Sequence, residues 1–237
     1  MQEASRSVFM APESDSGMNV FIVEPGDDPV LLIRTLKLAG GSKSFKVEWG
    51  DGSYSVFTAS QTNLAHTYGR RGPFRIRISD DIGEFGYTGS GGTTVKRDMM
   101  REWVSSGSKL VTLSSYAFNN CHLMRGVFNF PNVTYIGGYA FGSALGPTEF
   151  RFDSLVNLSQ NSFYAGASPA TLYCDRVSTI PSRFFEYYGG ALKDMYVRGK
   201  TCKQIKAMNG FPFRAGSGVR FHGSDGCITS DGEYYPE

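Results

Sequence analysis

The sequence predicts a β-rich chain of two units: a small β-sandwich over residues 17–90, then a short repeat solenoid over residues 93–237 closed by a C-terminal helix and hairpin. Three observations predict it. An aliphatic residue followed five positions later by phenylalanine occurs four times, as Leu113/Phe118, Ile136/Phe141, Leu158/Phe163 and Ile180/Phe185, with phenylalanine spacings of 23, 22 and 22 residues. A fixed period of this size marks stacked units, each burying its apolar side against the next. Ahead of the repeats, apolar runs with period two alternate with turn signals, as strands of a sandwich do. The 29 glycines and 14% aromatic residues suit a turn-rich β fold better than a helical bundle.

Composition narrows the function classes. A net charge of +2 over 237 residues provides no concentrated basic face, so nucleic acid is not an expected partner. No run approaches 18 apolar residues, so membrane insertion is not expected either. The N-terminal stretch, residues 1–16, is polar, has no apolar core of signal-peptide length, and reads as loosely ordered. Export by another route, a trimmed leader and a cytoplasmic location are the alternatives.

In chain order, Asn19–Val23 and Val30–Leu38 read as strands separated by the turn-like Pro25–Pro29. In Phe45–Trp49 the residues Phe45, Val47 and Trp49 share one face, with Lys46 and Glu48 on the other. Phe74–Ile78 repeats the design with Arg75 and Arg77 outward. Gly50-Asp51-Gly52 reads as a tight turn, with Asp51 as a turn former rather than a calcium ligand. His66 reads as a structural histidine at the sandwich rim, with no Cys, Asp or Glu near it at ligand spacing. The glycine-rich stretch Gly83–Gly92 reads as a flexible but short joint.

Within the repeats, Phe130, Phe152 and Cys174 lie six residues before an aliphatic anchor, and Phe128, Phe150 and Leu172 two residues earlier; Met195 and Val197 continue both rows. Alternation with polar residues predicts one short strand per repeat and a second ladder facing outward. Its central rung is Asn129, Arg151, Tyr173 and Tyr196. The flanking rungs are Val127, Glu149, Thr171 and Asp194, and Pro131, Asp153, Asp175 and Arg198. Parallel strands about 4.8 Å apart would merge these side chains into one surface. Trp103 reads as the cover of the solenoid's N-terminal end. Thr201 and Gln204 have capping-box spacing, predicting a helix over Lys203–Asn209 ended by Gly210 and Pro212. Val219–His222 and Cys227–Thr229 read as a hairpin, and the tail after Thr229 as frayed.

Two stretches resemble known families. Val47-Glu48-Trp49-Gly50-Asp51-Gly52, then His66-Thr67-Tyr68, then Gly72-Pro73-Phe74-Arg75-Ile76-Arg77-Ile78 resembles the PKD domain, with phenylalanine at 74 where tyrosine is commoner. That resemblance implies an immunoglobulin-like sandwich serving as a spacer or adhesion module. The segment Met100–Leu123 and Val133–Phe141 resemble the BspA-type leucine-rich repeat family, whose phrase is I-G-x-x-A-F-x-x-C/S-x-x-L; the third and fourth copies keep only the anchors. That resemblance implies a curved solenoid mediating adhesion or recognition on cell surfaces or phage-type particles.

The chemistry expected is binding. Tyrosine and arginine are enriched at binding hot spots, so the candidate ligand-binding residues are Asn129, Glu149, Arg151, Asp153, Tyr173, Asp175, Asp194, Tyr196 and Arg198. No P-loop, G-x-S-x-G, HExxH or EF-hand pattern occurs, and neither catalytic residues, a metal site nor a cofactor is expected. Cys121, Cys174, Cys202 and Cys227 show no CxxC spacing; the first two read as buried thiols, and the last two could pair across the cap. The expected partner is a protein or glycan on a host or bacterial surface, with self-association in a particle or filament as the alternative. The expected location is extracellular, on a cell surface or virion.

Overall fold

The computed structural model describes residues 14–27, 29–88, 99–164, 169–185 and 192–236. The loose order expected over residues 1–13 and the end of the expected joint, 89–92, lie outside them, as does residue 93, where the solenoid was expected to begin.

Among the described residues seven strands come first: β1 (Asn19–Val23), β2 (Val30–Leu38), β3 (Phe45–Glu48), β4 (Tyr54–Phe57), β5 (Gln61–Thr67), β6 (Phe74–Ile78) and β7 (Ile82–Gly86). Their period-two patterns do what they predict: in β6, Phe74, Ile76 and Ile78 are buried, while Arg75 is exposed and Arg77 half-buried. The strand β8 (Met100–Ser105) leads into the repeats, which contribute β9 (Thr112–Leu113), β10 (Gly126–Asn129), β11 (Tyr135–Ile136), β12 (Pro147–Arg151), β13 (Asn157–Leu158), β14 (Thr171–Tyr173) and β15 (Asp194–Tyr196). The cap consists of α1 (Cys202–Lys206), β16 (Arg220–His222), β17 (Gly226–Thr229) and β18 (Tyr234–Pro236). The chain is β-rich, with a solenoid of about four turns.

Three sheets make two layers. One layer is the six-stranded sheet β13-β11-β9-β7-β2-β5. It runs without a break from sandwich to solenoid, because β7 pairs in parallel with β9, Glu84 opposite Thr112 and Phe85 opposite Leu113. Gly83 and Gly86 therefore sit inside a strand rather than in a flexible joint. The other layer places the sheet β4-β3-β6-β1-β8 beside the sheet β10-β12-β14-β15-β16-β17-β18. They meet where the Arg125 amide donates to the Arg101 carbonyl at 2.8 Å and the Ser106 hydroxyl donates to the Asn129 carbonyl at 2.8 Å.

Trp103 lies in the core between the two halves, which corrects the expectation of an end cover. In β8 it stands opposite Phe21 of β1. Its ring stacks on Phe21 at 5.7 Å and packs against Phe85, Phe118 and Phe130 at 5.1, 5.8 and 5.0 Å. The sandwich itself covers the first repeat, so no separate cover is needed.

The solenoid core is a set of aromatic columns. Phe118, Phe141 and Phe163 follow one another at 5.2 and 5.1 Å, Phe128 and Phe150 at 5.5 Å, and Phe130 and Phe152 at 5.5 Å, all fully buried. Each such side chain contributes about 1.5–3 kcal/mol of burial, plus ring-pair terms. Each of the first three coils carries two strands rather than one, because the aliphatic anchors Leu113, Ile136 and Leu158 pair in their own short strands. Ile180, in the fourth, is buried without a strand. Between strands the turns also bond from coil to coil. The amides of Phe118, Phe141 and Phe163 donate to the carbonyls of Ala140, Ser162 and Phe184 at 2.6, 2.8 and 3.3 Å. This spends the backbone polar groups that a buried turn would otherwise strand. Such close stacking explains Gly137: a Cβ there would meet the Ser115 amide nitrogen at 2.3 Å.

At the C-terminal end the capping box forms, with the Gln204 amide donating to Thr201 Oγ1 at 3.2 Å and the Thr201 amide to Gln204 Oε1 at 2.8 Å. The helix stops at Lys206, short of the expected Asn209, because the chain turns back to bury Phe213, whose carbonyl accepts from the Phe185 amide at 3.2 Å. The hairpin β16–β17 forms as expected but extends the sheet rather than lying across its end, since β15 and β16 pair in parallel. The tail is not frayed: β18 pairs with β17, Tyr234 opposite Ile228 and Tyr235 opposite Cys227. All four cysteines are buried thiols, Cys202 and Cys227 included. Among the described residues no helix is long and apolar enough to cross a membrane.

Candidate binding face

The outward ladder forms in the expected register. Asn129 stands opposite Arg151, Arg151 opposite Tyr173, and Tyr173 opposite Tyr196. Val127, Glu149, Thr171 and Asp194 line up beside them. The structure adds a rung that repeat spacing misses, His222 opposite Tyr196 and Arg220 opposite Asp194. His222 lies 26 residues after Tyr196, outside the 22–23-residue period. Its signal was the local alternation Arg220-Phe221-His222, in which only Phe221 faces the core.

Four of these side chains make a continuous stack. The Arg151 guanidinium sits 4.5 Å over the Tyr173 ring. Tyr173 stacks on Tyr196 at 4.5 Å and Tyr196 on His222 at 4.3 Å, each pair within 11° of parallel. Arg198 flanks the column, 5.9 Å from the Tyr173 centroid and 5.4 Å from that of Tyr196. Tyr173 thus has both ring faces covered, by Arg151 and Tyr196, and Tyr196 has both covered, by Tyr173 and His222. Neither can offer a flat face to a sugar or a base. They present hydroxyls and ring edges.

Three of the four carboxylates, Glu149, Asp175 and Asp194, are committed to partners on the same face. Glu149 pairs with Arg151. Asp175 accepts from Arg198 Nη2 at 2.6 Å and from the Arg198 amide at 2.8 Å. Asp194 accepts from Arg220 at 2.7 Å and pairs with His222 Nε2 at 2.8 Å. Burial pushes the carboxyls of Asp175 and Asp194 up, but hydrogen bonds from Arg198 in one case and from His222 and Arg220 in the other outweigh it and hold both below the usual range. A general acid needs the opposite shift, so these two are anions fixing cations in place. Burial, then the Asp194 charge and Tyr173, raise the Tyr196 hydroxyl, which stays a neutral donor and acceptor. Asp153 is exposed beyond Arg151, whose charge it helps to stabilise. Asn129 is exposed at the start of the column.

The second constellation is in the sandwich. Asp51 accepts from the Ser53 amide and hydroxyl at 2.9 and 2.6 Å and pairs with His66 Nε2 at 2.8 Å. His66 stacks on Trp49 at 4.4 Å, and Tyr68 donates its hydroxyl proton to the Trp49 carbonyl at 3.0 Å. His66 therefore has an acidic partner that sequence spacing did not reveal, 15 residues upstream. Burial raises the Asp51 carboxyl, yet the Ser53 hydrogen bonds and then His66 lower it further, to about 2. Gly50, with φ +82°, lets this turn lie against β6, where a Cβ would meet the Arg75 carbonyl oxygen at 2.7 Å. Among the described residues no group of three or more His, Cys, Asp or Glu is placed to hold a metal ion.

No family model, no curated protein and no solved structure matches this chain.

Proposed function

We propose that the chain is a non-catalytic recognition protein, displayed on a bacterial cell surface or phage-type particle, that binds a protein or glycan through the outward face of its repeat strands. The observation that carries this reading is the stack Arg151–Tyr173–Tyr196–His222, held in register by three paired carboxylates. Aromatic and arginine side chains ordered before contact lose little freedom on binding, which favours affinity. Because the ring faces are covered, the partner is met through hydroxyls and guanidinium edges. In this reading the sandwich is PKD-like, with Trp49, His66 and Tyr68 as its signature, and the repeats are BspA-like.

A structural role in a particle or filament is the second reading. It is favoured by two sheet edges that carry exposed apolar side chains, Tyr54 and Val56 on β4, and Tyr234 and Tyr235 on β18.

The test uses Tyr173→Phe with Tyr196→Phe, which removes both hydroxyls and leaves the stack. On glycan arrays and panels of purified surface proteins, ligands of the native chain should bind the double variant at least about tenfold more weakly, the worth of two lost hydrogen bonds. Its melting temperature should stay within a few degrees. Ligands bound equally by both forms would remove this face from the function. Gradient fractionation of a producing culture tests display: sedimentation with particles or envelope supports it, and a purely cytosolic chain defeats it.

A further inference from the structure

The three sheets end on β4 and β8, on β10 and β18, and on β13 and β5. Since β8 and β10 face each other at the seam, β4, β18, β13 and β5 are the open ends among the described residues. An open end is a template for a further strand, and proteins blunt it with proline, irregular backbone, charge or shortness. All but one are blunted here. β18 ends on Pro236, which has no N–H to give. β5 is distorted by Asn63 in the left-handed region, at φ 55°. β13 is two residues long. By contrast β4, Tyr54-Ser55-Val56-Phe57, has no proline, no charge and no positive φ. Tyr54 and Val56 are also the most exposed large apolar side chains of the described residues, at 64% and 58%.

Alternation decides which main-chain groups of β4 face outward. The Trp49 amide donates to the Ser53 carbonyl at 3.0 Å, whereas the Lys46 carbonyl accepts from the Ser79 amide, just past β6, at 2.9 Å. Phe45, Val47 and Trp49 therefore bond toward β4, and Lys46 and Glu48 toward β6. Opposite Lys46 and Glu48 on β4 stand Val56 and Tyr54. Their N–H and C=O groups point away from β3, where no strand lies among the described residues.

We propose that β4 pairs antiparallel with β4 of a second copy of this chain, about a two-fold axis through Ser55. That register sets Tyr54 opposite the partner's Val56 and Val56 opposite the partner's Tyr54. Every outward N–H of one strand then meets an outward C=O of the other. What favours a second copy over a foreign extended peptide is this self-complementarity. Each tyrosine ring lies beside a β-branched side chain, a favourable cross-strand pair. Behind them in β3, Glu48 backs Tyr54 and Lys46 backs Val56. Each row across the joint therefore runs Glu48, Tyr54, the partner's Val56, the partner's Lys46, with opposite charges at its two ends. The contact closes on itself, whereas β4 against a different edge would propagate as a filament. The pairing rests on neither reading of function above, but a pair carries two repeat faces, which strengthens attachment to any surface that repeats their ligand.

In sedimentation velocity the full-length chain should pass from the mass of one chain to that of two between about 1 and 500 μM, as befits a small contact. Val56→Pro removes an outward N–H that bonds nothing in β3, and Val56→Lys puts a charge on the edge. Both should stay single over that range, with melting temperatures within a few degrees of the native chain's. Val104→Lys, at an exposed valine of β8, should still pair. Register is read separately. Oxidised with copper–phenanthroline, Ser55→Cys should give a disulfide-linked dimer, because residues facing each other on the axis lie within disulfide reach, and Tyr54→Cys should not. The native thiols are all buried. A native chain that stays single up to about 500 μM overturns the proposal, whether or not its edge then captures a foreign extended peptide. Growth beyond two chains, a dimer that survives both Val56 substitutions, or crosslinking through Tyr54→Cys in preference to Ser55→Cys overturns it as well.

Discussion

Asp51 illustrates what a single side chain does here that sequence spacing only half reveals. The turn Gly50-Asp51-Gly52 identifies it as a turn former, and it does accept from Ser53 two residues on. Its link to His66 is tertiary: β5 carries His66 onto the Trp49 ring, and nothing in the local sequence encodes that approach. The linkage has a definite sign. With a folded-state pKa near 2 against about 3.9 in an unfolded chain, Asp51 stabilises fully above about pH 4, and the contribution is lost as pH falls toward 2. Asp51→Asn should therefore cost about 2 kcal/mol near neutrality and flatten the fall in stability between pH 4 and 2. Urea unfolding across that window measures both; an unchanged acid limb would mean that the turn carries no net charge-dependent stabilisation. On the repeat face the balance between legible and hidden is similar. Asn129, Arg151, Tyr173 and Tyr196 were readable because the period places them, whereas His222 and Arg220 enter from the cap, which does not share the period.

The individual coil owes its geometry to a turn whose amides bond the next coil. The Phe anchors were legible from spacing, since a residue buried once per coil must repeat once per coil. The second strand of each coil was not, because two residues are too few to show alternation. Nor were the left-handed residues of the turns, Tyr116, Tyr139 and Asn161, at φ 61°, 57° and 59°. Tyrosine is an unlikely occupant of that region, and stacking of Tyr116 on Tyr139 at 5.1 Å holds it there. The paired glycines Gly137 and Gly138 separate two roles. A methyl group at 137 would enter the Ser114–Ser115 backbone, whereas at 138 the nearest atom would be the Gln160 carbonyl oxygen at 3.4 Å, ordinary contact. Gly137→Ala should destabilise by about 1–3 kcal/mol, the range of overpacked cores, and Gly138→Ala by less than about 1 kcal/mol. Chemical denaturation of the pair compares them directly. Equal effects would show that the coil can open at 137, and that its stacking is looser than the backbone bonds imply.

Over the whole molecule, the question is whether sandwich and solenoid unfold together. The sequence suggested two units because its patterning changes near residue 90, and pattern reports local structure. It does not report that β7 and β9 pair across the change, or that Trp103 packs on Phe21 and Phe118 at once. A sheet and a core common to both halves make the free energy of one depend on the other, so a single cooperative transition is expected. The two tryptophans report on it separately: Trp49 lies in the sandwich beside His66, and Trp103 lies at the seam. In Trp49→Phe only the seam fluoresces, and in Trp103→Phe only the sandwich. After correction for each variant's stability, the two fluorescence transitions should coincide with the loss of far-ultraviolet dichroism. Trp103→Ala removes the shared ring altogether. It should cost roughly 3–5 kcal/mol, and because the ring touches both halves the loss should lower both signals together rather than one first. If instead the Trp49 signal survives at denaturant concentrations that have already unfolded the seam, the sandwich folds on its own. The continuous sheet would then join two structures of independent stability.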